Sequence, residues 1–397
     1  MKKKLAIITS HPIQYNAPWF RLLAMQGVIE PKVFYTWSQT QTAEKFDPGF
    51  GKVVQWDIPL LEGYQYSFVK NVSTEPGTHH FKGLVNPTLT TEIEAWQPDA
   101  VLVFGWAFQS HLRCIRYFHK KKKPVFFRGD STLLDETPGM KTLLRRIFLK
   151  WVYRHVDTAL YAGTNNKNYF LTHGLRQSQL LYAPHAVDNG RFQDLDNQYQ
   201  QKAIELRKKL GFTNEDVVLL YAGKFEQKKN PFFLIRVLQK IKDRHLKLLF
   251  VGNGILEQSL KKAAAPDERI VFLDFQNQQA MPFIYRTADI FVLPSAGPGE
   301  TWGLALNEAM ACEKAVVATG KAGGAIDLIQ ENENGIIIQN NDSTAFELLL
   351  CTALKNKDVL RNMGERSGEI IRNFSFENII IPLSSLVNQL PKPGQGK

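Results

Sequence analysis

The run Phe291-Val-Leu-Pro-Ser-Ala-Gly-Pro-Gly-Glu300-Thr-Trp-Gly303-Leu-Ala-Leu-Asn-Glu308-Ala-Met-Ala-Cys312 sets a short apolar strand, a Gly/Pro-rich loop and an Ala-rich helix in that order. A helix opening at Gly303 leaves backbone N–H groups of Trp302, Gly303 and Leu304 pointing outward, and a glycine there lets an anion approach the backbone closely. Glu300 stands just before the helix start and Glu308 eight residues later. Glu308, set among Ala305, Ala309, Ala311 and Cys312, faces a tightly packed apolar environment and needs hydrogen-bonding partners, a role that sugar hydroxyls would fill. The structural alternative is a helix-dipole glutamate plus a loop glutamate.

Outward from this stretch the same strand–loop–helix rhythm repeats. Apolar runs at 217–222, 246–251, 270–273, 290–294, 315–318 and 335–338 alternate with helical patterns, as do runs at 5–9, 32–35, 100–104, 124–128 and 158–162 in the first half. Runs of about 4–6 apolar residues flanked by helices read as parallel strands covered on both faces. Two successive open α/β sheets follow, with ligands expected at the carboxyl ends of the strands. The polar stretch 188–212 reads as a linker between them.

The 397 residues suit two domains at roughly 100–200 residues each. With 44% hydrophobic and 22% charged residues, wholesale disorder is excluded. The net charge of +11 is uneven: residues 1–190 carry +9 and the remainder +2, so the first half is built to meet something negative. Three scattered cysteines (Cys114, Cys312, Cys351) exclude a disulfide framework and fit a reducing compartment. The apolar run behind Met1-Lys-Lys-Lys4 stops too early for a signal peptide, and no stretch reaches the roughly 18 apolar residues that would span a bilayer.

Two further constellations follow strands of the second half. In Ala222-Gly223-Lys224-Phe-Glu-Gln-Lys-Lys229-Asn-Pro, two lysines five apart precede a helix, and both can reach one diphosphate as point charges. In Phe250-Val-Gly252-Asn253-Gly254, a Gly-x-Gly turn permits close backbone approach to a ligand. Either alone is an ordinary loop; all three motifs fall in order at strand ends of one sheet. Together they resemble the retaining glycosyltransferases of the GT-B fold, family 4 (glycosyl transferases group 1). There, the C-terminal domain carries a Gly-Arg…Lys loop, a Gly-x-Gly turn and a Glu-x7-Glu motif with a glycine between the carboxylates. Ala322-Gly323-Gly324…Asp327 looks like the family's Gly-Gly-x-x-Glu, with Asp for Glu, and Pro184-His185-Ala186-Val187-Asp188 is similar to its Pro-Asn-Gly-Val-Asp hinge. Lys224 stands where Arg is usual, which removes a bidentate fork.

The resemblance implies an α/β GT-B chain of two Rossmann-like parallel-sheet domains facing a cleft. Residues 1–187 would be the acceptor-side domain, 188–212 the linker and 213–373 the nucleotide-sugar domain. Residues 374–390 would form a helix returning to the first domain, and 391–397 a disordered tail. The implied enzyme transfers a hexose-type sugar, with retention, from a nucleotide-diphosphate sugar to a glycan or polyprenyl-linked acceptor in cell-surface polysaccharide assembly. Lys224, Lys229 and Glu300 would be catalytic. Gly223, Gly252, Asn253, Gly254, Thr301, Trp302, Gly303, Leu304 and Glu308 would bind the donor, with Glu300 on sugar hydroxyls and Glu308 on the ribose diol. Lysines and helix-start amides would stabilise the departing diphosphate. No cofactor or metal is expected, since the lysines serve the diphosphate and Asp194-x-Asp196 sits in the polar linker. The protein would be cytoplasmic, with peripheral contact at the inner face of the cell membrane.

In the first half, the loop after the first strand offers His11, Gln14, Tyr15 and Asn16, either gripping substrate hydroxyls or capping local structure. It lacks Gly-x-Gly-x-x-Gly, which speaks against a dinucleotide. Trp106, His111 and Arg128 follow later strands and join them as acceptor-side candidates. The basic helices 111–123 and 141–155 fit an anionic membrane, or equally a surface helix whose apolar stripe packs on the sheet. No nucleic-acid recognition motif is present. The rival readings are another GT-B chemistry (an inverting transferase or a sugar-nucleotide epimerase) and a sugar-nucleotide-binding module without turnover.

Overall fold

The protein is described from a computed structural model, which covers residues 2–38, 45–47, 52–54, 56–339 and 342–391. The tail expected to be disordered, 391–397, lies outside these except for Pro391. The chain divides into two compact units. One comprises Met1–Lys45, Pro59–Pro184 and Phe376–Lys397; the other comprises Phe46–Ile58 and His185–Ser375.

In the first unit, β1 (Lys4–Thr9), β2 (Glu30–Tyr35), β5 (Gln65–Phe68), β6 (Ala100–Phe104), β7 (Val125–Arg128), β8 (Thr158–Tyr161) and β9 (Leu180–Tyr182) form a parallel sheet in the order β5-β2-β1-β6-β7-β8-β9. The short strands β3 (Lys45–Asp47) and β4 (Lys52–Val54) pair separately. Ala6, Ile8, Val101, Val103, Val125 and Phe127 pack on one face of the sheet, with their neighbours Leu5, Ile7, Leu102 and Phe126 buried on the other. That two-sided burial is why the strands read as unbroken apolar runs. The last helix, Glu377–Asn388, belongs to this unit: it packs on the helix Ala17–Gln26, and Ser384 donates to Gln26 at 3.2 Å.

The second unit repeats the plan with β10 (Val217–Ala222), β11 (Leu246–Val251), β12 (Ile270–Leu273), β13 (Ile290–Leu293), β14 (Ala315–Thr319) and β15 (Gly335–Ile338). All are parallel, in the order β12-β11-β10-β13-β14-β15. The chain winds outward from β10 through β11 to β12, then restarts at β13 and winds the other way. The switch point therefore lies between β10 and β13, and their exit loops diverge over the carboxyl edge, where open α/β sheets bind ligands.

The stretch 188–212 differs from its expected role as a linker. It forms helices Asn189–Phe192 and Gln198–Lys209 within the second unit. Only Ala203 is buried on the longer helix, so its composition is that of a solvated face. Arg207 anchors it, donating to the carbonyls of Thr287, Thr213 and Asp216 at 2.9–3.0 Å.

Candidate active site

Where β10 ends, Gly223 begins the loop that carries the lysines. Tyr221 donates its hydroxyl to the Lys224 carbonyl at 2.7 Å, and the Phe225 amide donates to Asn253 at 2.9 Å. The loop closes at Asn230 in the left-handed conformation, before the helix Phe232–Lys240. Beside it, β11 runs into Gly252 at φ +139°, where a Cβ would lie 2.1 Å from the Gly223 carbonyl oxygen. Only glycine allows the two strand-end loops to approach this closely. Asn253 is spent on structure. Its amide nitrogen donates to Glu257 and Asp274, and its oxygen accepts from the Phe275 amide, at 2.9–3.0 Å.

The loop between β13 and the helix Leu304–Ala311 is stitched to the lysine loop at two points. The Ala296 amide donates to the Lys228 carbonyl at 2.8 Å, and the Lys229 ammonium donates to Glu300 Oε2. The same carboxylate oxygen accepts from the hydroxyl of fully buried Ser295 at 2.8 Å, while Thr319 donates to the Ser295 carbonyl. At 12% side-chain exposure, Glu300 sits in a sheltered position where its pairing with Lys229 is weakly screened. Gly303, at φ +97°, opens the helix without a side-chain cap; a Cβ there would meet Leu293 Cδ2 at 2.6 Å. Below, Gly323 and Gly324 donate consecutive amides to the carbonyls of Glu300 and Trp302 at 2.9 Å. The Gly-Gly pair therefore holds the backbone on which Glu300 rides, and Gly324 lies so close under the Trp302 ring that a Cβ would meet it at 2.7 Å.

Glu308 is 3% exposed and accepts from the Tyr285 hydroxyl at 2.7 Å. Its neighbour Asn307 accepts from the Trp302 indole at 2.8 Å and donates to the His185 carbonyl at 3.0 Å. The His185 and Trp302 rings stand 5.3 Å apart, so the hinge-like element adjoins the helix start. The buried Tyr221 hydroxyl has its pKa raised well above the ordinary value, first by desolvation and then by the Glu300 and Glu226 carboxylates. It stays neutral and keeps the proton that it donates to the Lys224 carbonyl.

Ser295, Thr319 and Tyr285 escaped the sequence reading. They are common hydroxyls within or beside apolar runs, and only the fold brings Ser295 to Glu300, Tyr285 to Glu308 and Thr319 to the Ser295 carbonyl. Asp194 turns out to be a helix cap, accepting from the amides of Tyr199 at 2.9 Å and Gln200 at 2.6 Å. Among the described residues no group of three His, Cys, Asp or Glu side chains is placed to hold a metal ion.

In the first unit, His11, Gln14 and Asn16 share the loop after β1. His11 Nδ1 pairs with the Ser10 hydroxyl at 2.9 Å and its ring meets the edge of Trp37, while Asn16 accepts from the Trp19 indole at 3.4 Å. Gln14 Oε1 is buried with no hydrogen-bond partner among the described residues. Trp106, after β6, packs edge-on against Phe148. Two candidates prove to be internal braces. His111 is fully buried between the Phe104 carbonyl at 2.9 Å and the Thr36 hydroxyl at 3.1 Å, and burial pushes its pKa down to about 4. Arg128 is buried, with its guanidinium donating to the carbonyls of Ala183 and Pro184 at 2.9 and 3.1 Å, and desolvation lowers its pKa to about 10. Both followed strands as expected, but their side chains turn inward to satisfy backbone carbonyls.

Residues 202–369 match the family model for glycosyl transferases group 1. The second unit carries a glycosyl transferases group 1 domain. Every loop residue from Gly223 to Asp327 described above lies inside it. An uncharacterized glycosyltransferase of Methanocaldococcus jannaschii is 31% identical over 159 residues, 38% of this chain and 40% of that protein. The N-acetyl-alpha-D-glucosaminyl L-malate synthase of Bacillus anthracis is 27% identical over 258 residues, 63% of each. The chain thus spans about half the length of the curated relatives it matches. Among solved structures, Anabaena HepE in complex with UDP has a TM-score of 0.74 at 17% identity, covering 98% of this chain and 100% of that one. A glycosyltransferase from Rickettsia africae also has a TM-score of 0.74, at 14% identity, covering 99% and 100%. The group 1 domain and the sheet that precedes it in the chain thus give the GT-B fold class.

Proposed function

We propose that the chain is a retaining glycosyltransferase that moves a hexose-type sugar from a nucleotide-diphosphate sugar to a glycan or lipid-linked hydroxyl in cell-surface polysaccharide assembly. The observation that supports this most directly is the meeting of Lys229 with Glu300 at the β10/β13 switch point, three residues before the uncapped helix start at Gly303. An arriving diphosphate takes over the Lys229 ammonium with its own oxygens, and Lys224 on the same loop adds a second charge. Glu300, kept in place by Ser295, then accepts from donor-sugar hydroxyls.

As the bond from C1 to the β-phosphate oxygen breaks, its electron pair stays on that oxygen. The Lys224 and Lys229 ammonium groups and the amides of 302–304 then offset the growing charge. The same phosphate oxygen takes the proton of the attacking acceptor hydroxyl, so the new bond forms on the face from which the old one left. The reaction so drawn needs no metal or organic cofactor. The HepE structures with UDP and with UDP-glucose support a uridine diphosphate sugar as the first donor to try.

The test is a thermal-shift panel of nucleotide sugars followed by donor hydrolysis. A cognate donor at 100 times its Kd stabilises by about 2.7 kcal/mol. Glu300→Gln should retain that stabilisation and lose hydrolysis. A panel in which no nucleoside diphosphate sugar raises the midpoint defeats the reading. Nucleotide binding without hydrolysis or transfer in the wild type favours the non-catalytic module.

A further inference from the structure

Asn307 is a polar side chain at a fully buried position of the helix Leu304–Ala311, between Leu306 and Glu308. A buried amide holds its place only where its hydrogen bonds are made. Both partners of Asn307 lie outside its own helix. Its oxygen accepts from the Trp302 indole at 2.8 Å, and its nitrogen donates to the His185 carbonyl at 3.0 Å. Trp302 is itself buried, so its ring is enclosed by protein rather than offered to a ligand.

That ring sits where three segments meet. Gly324 lies beneath it, so close that a Cβ would reach the ring at 2.7 Å, and donates its amide to the Trp302 carbonyl at 2.9 Å. The His185 ring stands 5.3 Å away and the Phe374 ring 6.1 Å away. These two belong to opposite ends of the second unit's long segment, which begins at His185 and ends at Ser375. The ends are also bonded to one another, since the Asn189 amide nitrogen donates to the carbonyls of Ile371 and Phe374 at 3.2 Å each. Trp302 therefore adjoins both places where this segment joins the rest of the chain, while its own peptide leads directly into Gly303 and Leu304. An anion that draws those amides toward itself turns the Trp302 peptide, and Gly324 leaves the ring little room to absorb the turn. Close-packed interiors pass such a displacement on to their neighbours.

We infer that Trp302 and Asn307 are positioning residues that tie the amides of 302–304 to the segments 185–189 and 371–374, so that an anion held by the amides registers at both ends of the unit's long segment. The inference rests on the sugar-nucleotide reading for the nature of that anion, a diphosphate. The test is hydrogen exchange of the full chain, followed by mass spectrometry, with and without saturating UDP. In the wild type, UDP should slow exchange in 185–189 and 371–374 by about tenfold, a coupling of the size that one buried hydrogen bond supplies. Asn307→Leu keeps the branched shape and removes both bonds, and should hold that slowing under about threefold while UDP still binds. Trp302→Phe keeps a ring beside His185 and Phe374 but loses the indole N–H. It should behave in the same way, and it carries the test if Asn307→Leu does not fold. A residue that merely filled the core would alter exchange equally with and without UDP, so the dependence on UDP is the deciding readout. Slowing that is unchanged in both variants overturns the inference. So does a wild type whose thermal midpoint rises with UDP while both segments exchange as before. A wild type that binds no nucleoside diphosphate defeats the sugar-nucleotide reading and this inference with it.

Discussion

Replacing Gly252 by alanine tests whether the candidate site depends on two strand-end loops held in backbone contact. The added Cβ would lie 2.1 Å from the Gly223 carbonyl oxygen, roughly 1 Å short of the ~3.3 Å at which carbon and carbonyl oxygen normally meet. It would also sit at φ +139°, outside the range that L side chains favour. Backbone strain of about 1–3 kcal/mol and overpacking of about 1–3 kcal/mol together give about 4 kcal/mol of destabilisation. Gly299→Ala separates the two causes: its φ is +91°, but a Cβ there meets nothing within 4 Å, so only the strain of about 1–2 kcal/mol should appear. In urea, with an m-value of about 2.5 kcal/mol/M for a unit of this size, Gly252→Ala should lower the second unit's midpoint by about 1.6 M and Gly299→Ala by about 0.6 M. Equal midpoints for the two variants would mean that the close approach of the loops costs nothing to break, and the argument for an interlocked site would fall.

Lys229→Met should lower the transfer rate by about 10²–10³, the effect of removing one pre-aimed donor, and a loss under tenfold in single-turnover assays would remove it from the leaving-group role. His111 carries a pH signature. Its folded pKa of about 4 lies below the ordinary 6.5, so the unfolded chain takes up a proton that the folded chain declines. Stability from this group is complete above pH 6.5 and lost as pH falls toward 4, about 2 kcal/mol of it by pH 5. Between pH 7 and pH 5, urea unfolding of the wild type should therefore lose about 2 kcal/mol more stability than that of His111→Gln. Arg128→Met should cost about 3 kcal/mol of stability by stranding two buried carbonyls, and leave the acceptor KM unchanged. A raised KM with an unchanged unfolding midpoint would return Arg128 to the acceptor site.

Much of the architecture was legible in the residues because parallel strands buried on both faces leave an unambiguous apolar mark. The runs 5–9, 100–104, 217–222 and 246–251 agree with the observed strands within a residue at either end. The edge strands Gln65–Phe68 and Leu180–Tyr182 were missed because both are short and only half-buried, the first broken by Gln65 and Ser67 and the second only three residues long, so neither leaves a sustained apolar run. The stretch 188–212 misled for the related reason that a helix burying only Ala203 looks like a linker. The site's glycines and charges were visible as motifs, since a close backbone approach demands glycine whatever surrounds it.

Sequence alone therefore determined the two-sheet plan, the order of the site loops and the residue types that could meet a diphosphate. Each of these follows from local backbone preference and the burial period along the chain. Tertiary structure alone decided that Lys229 meets Glu300, that Ser295 and Tyr285 hold the two glutamates, and that His111 and Arg128 turn inward. It also decided that Asn307 joins the Trp302 indole to the His185 carbonyl. Those outcomes depend on which side chain satisfies which buried donor or acceptor across strands far apart in the chain, and no spacing within a single segment records that pairing.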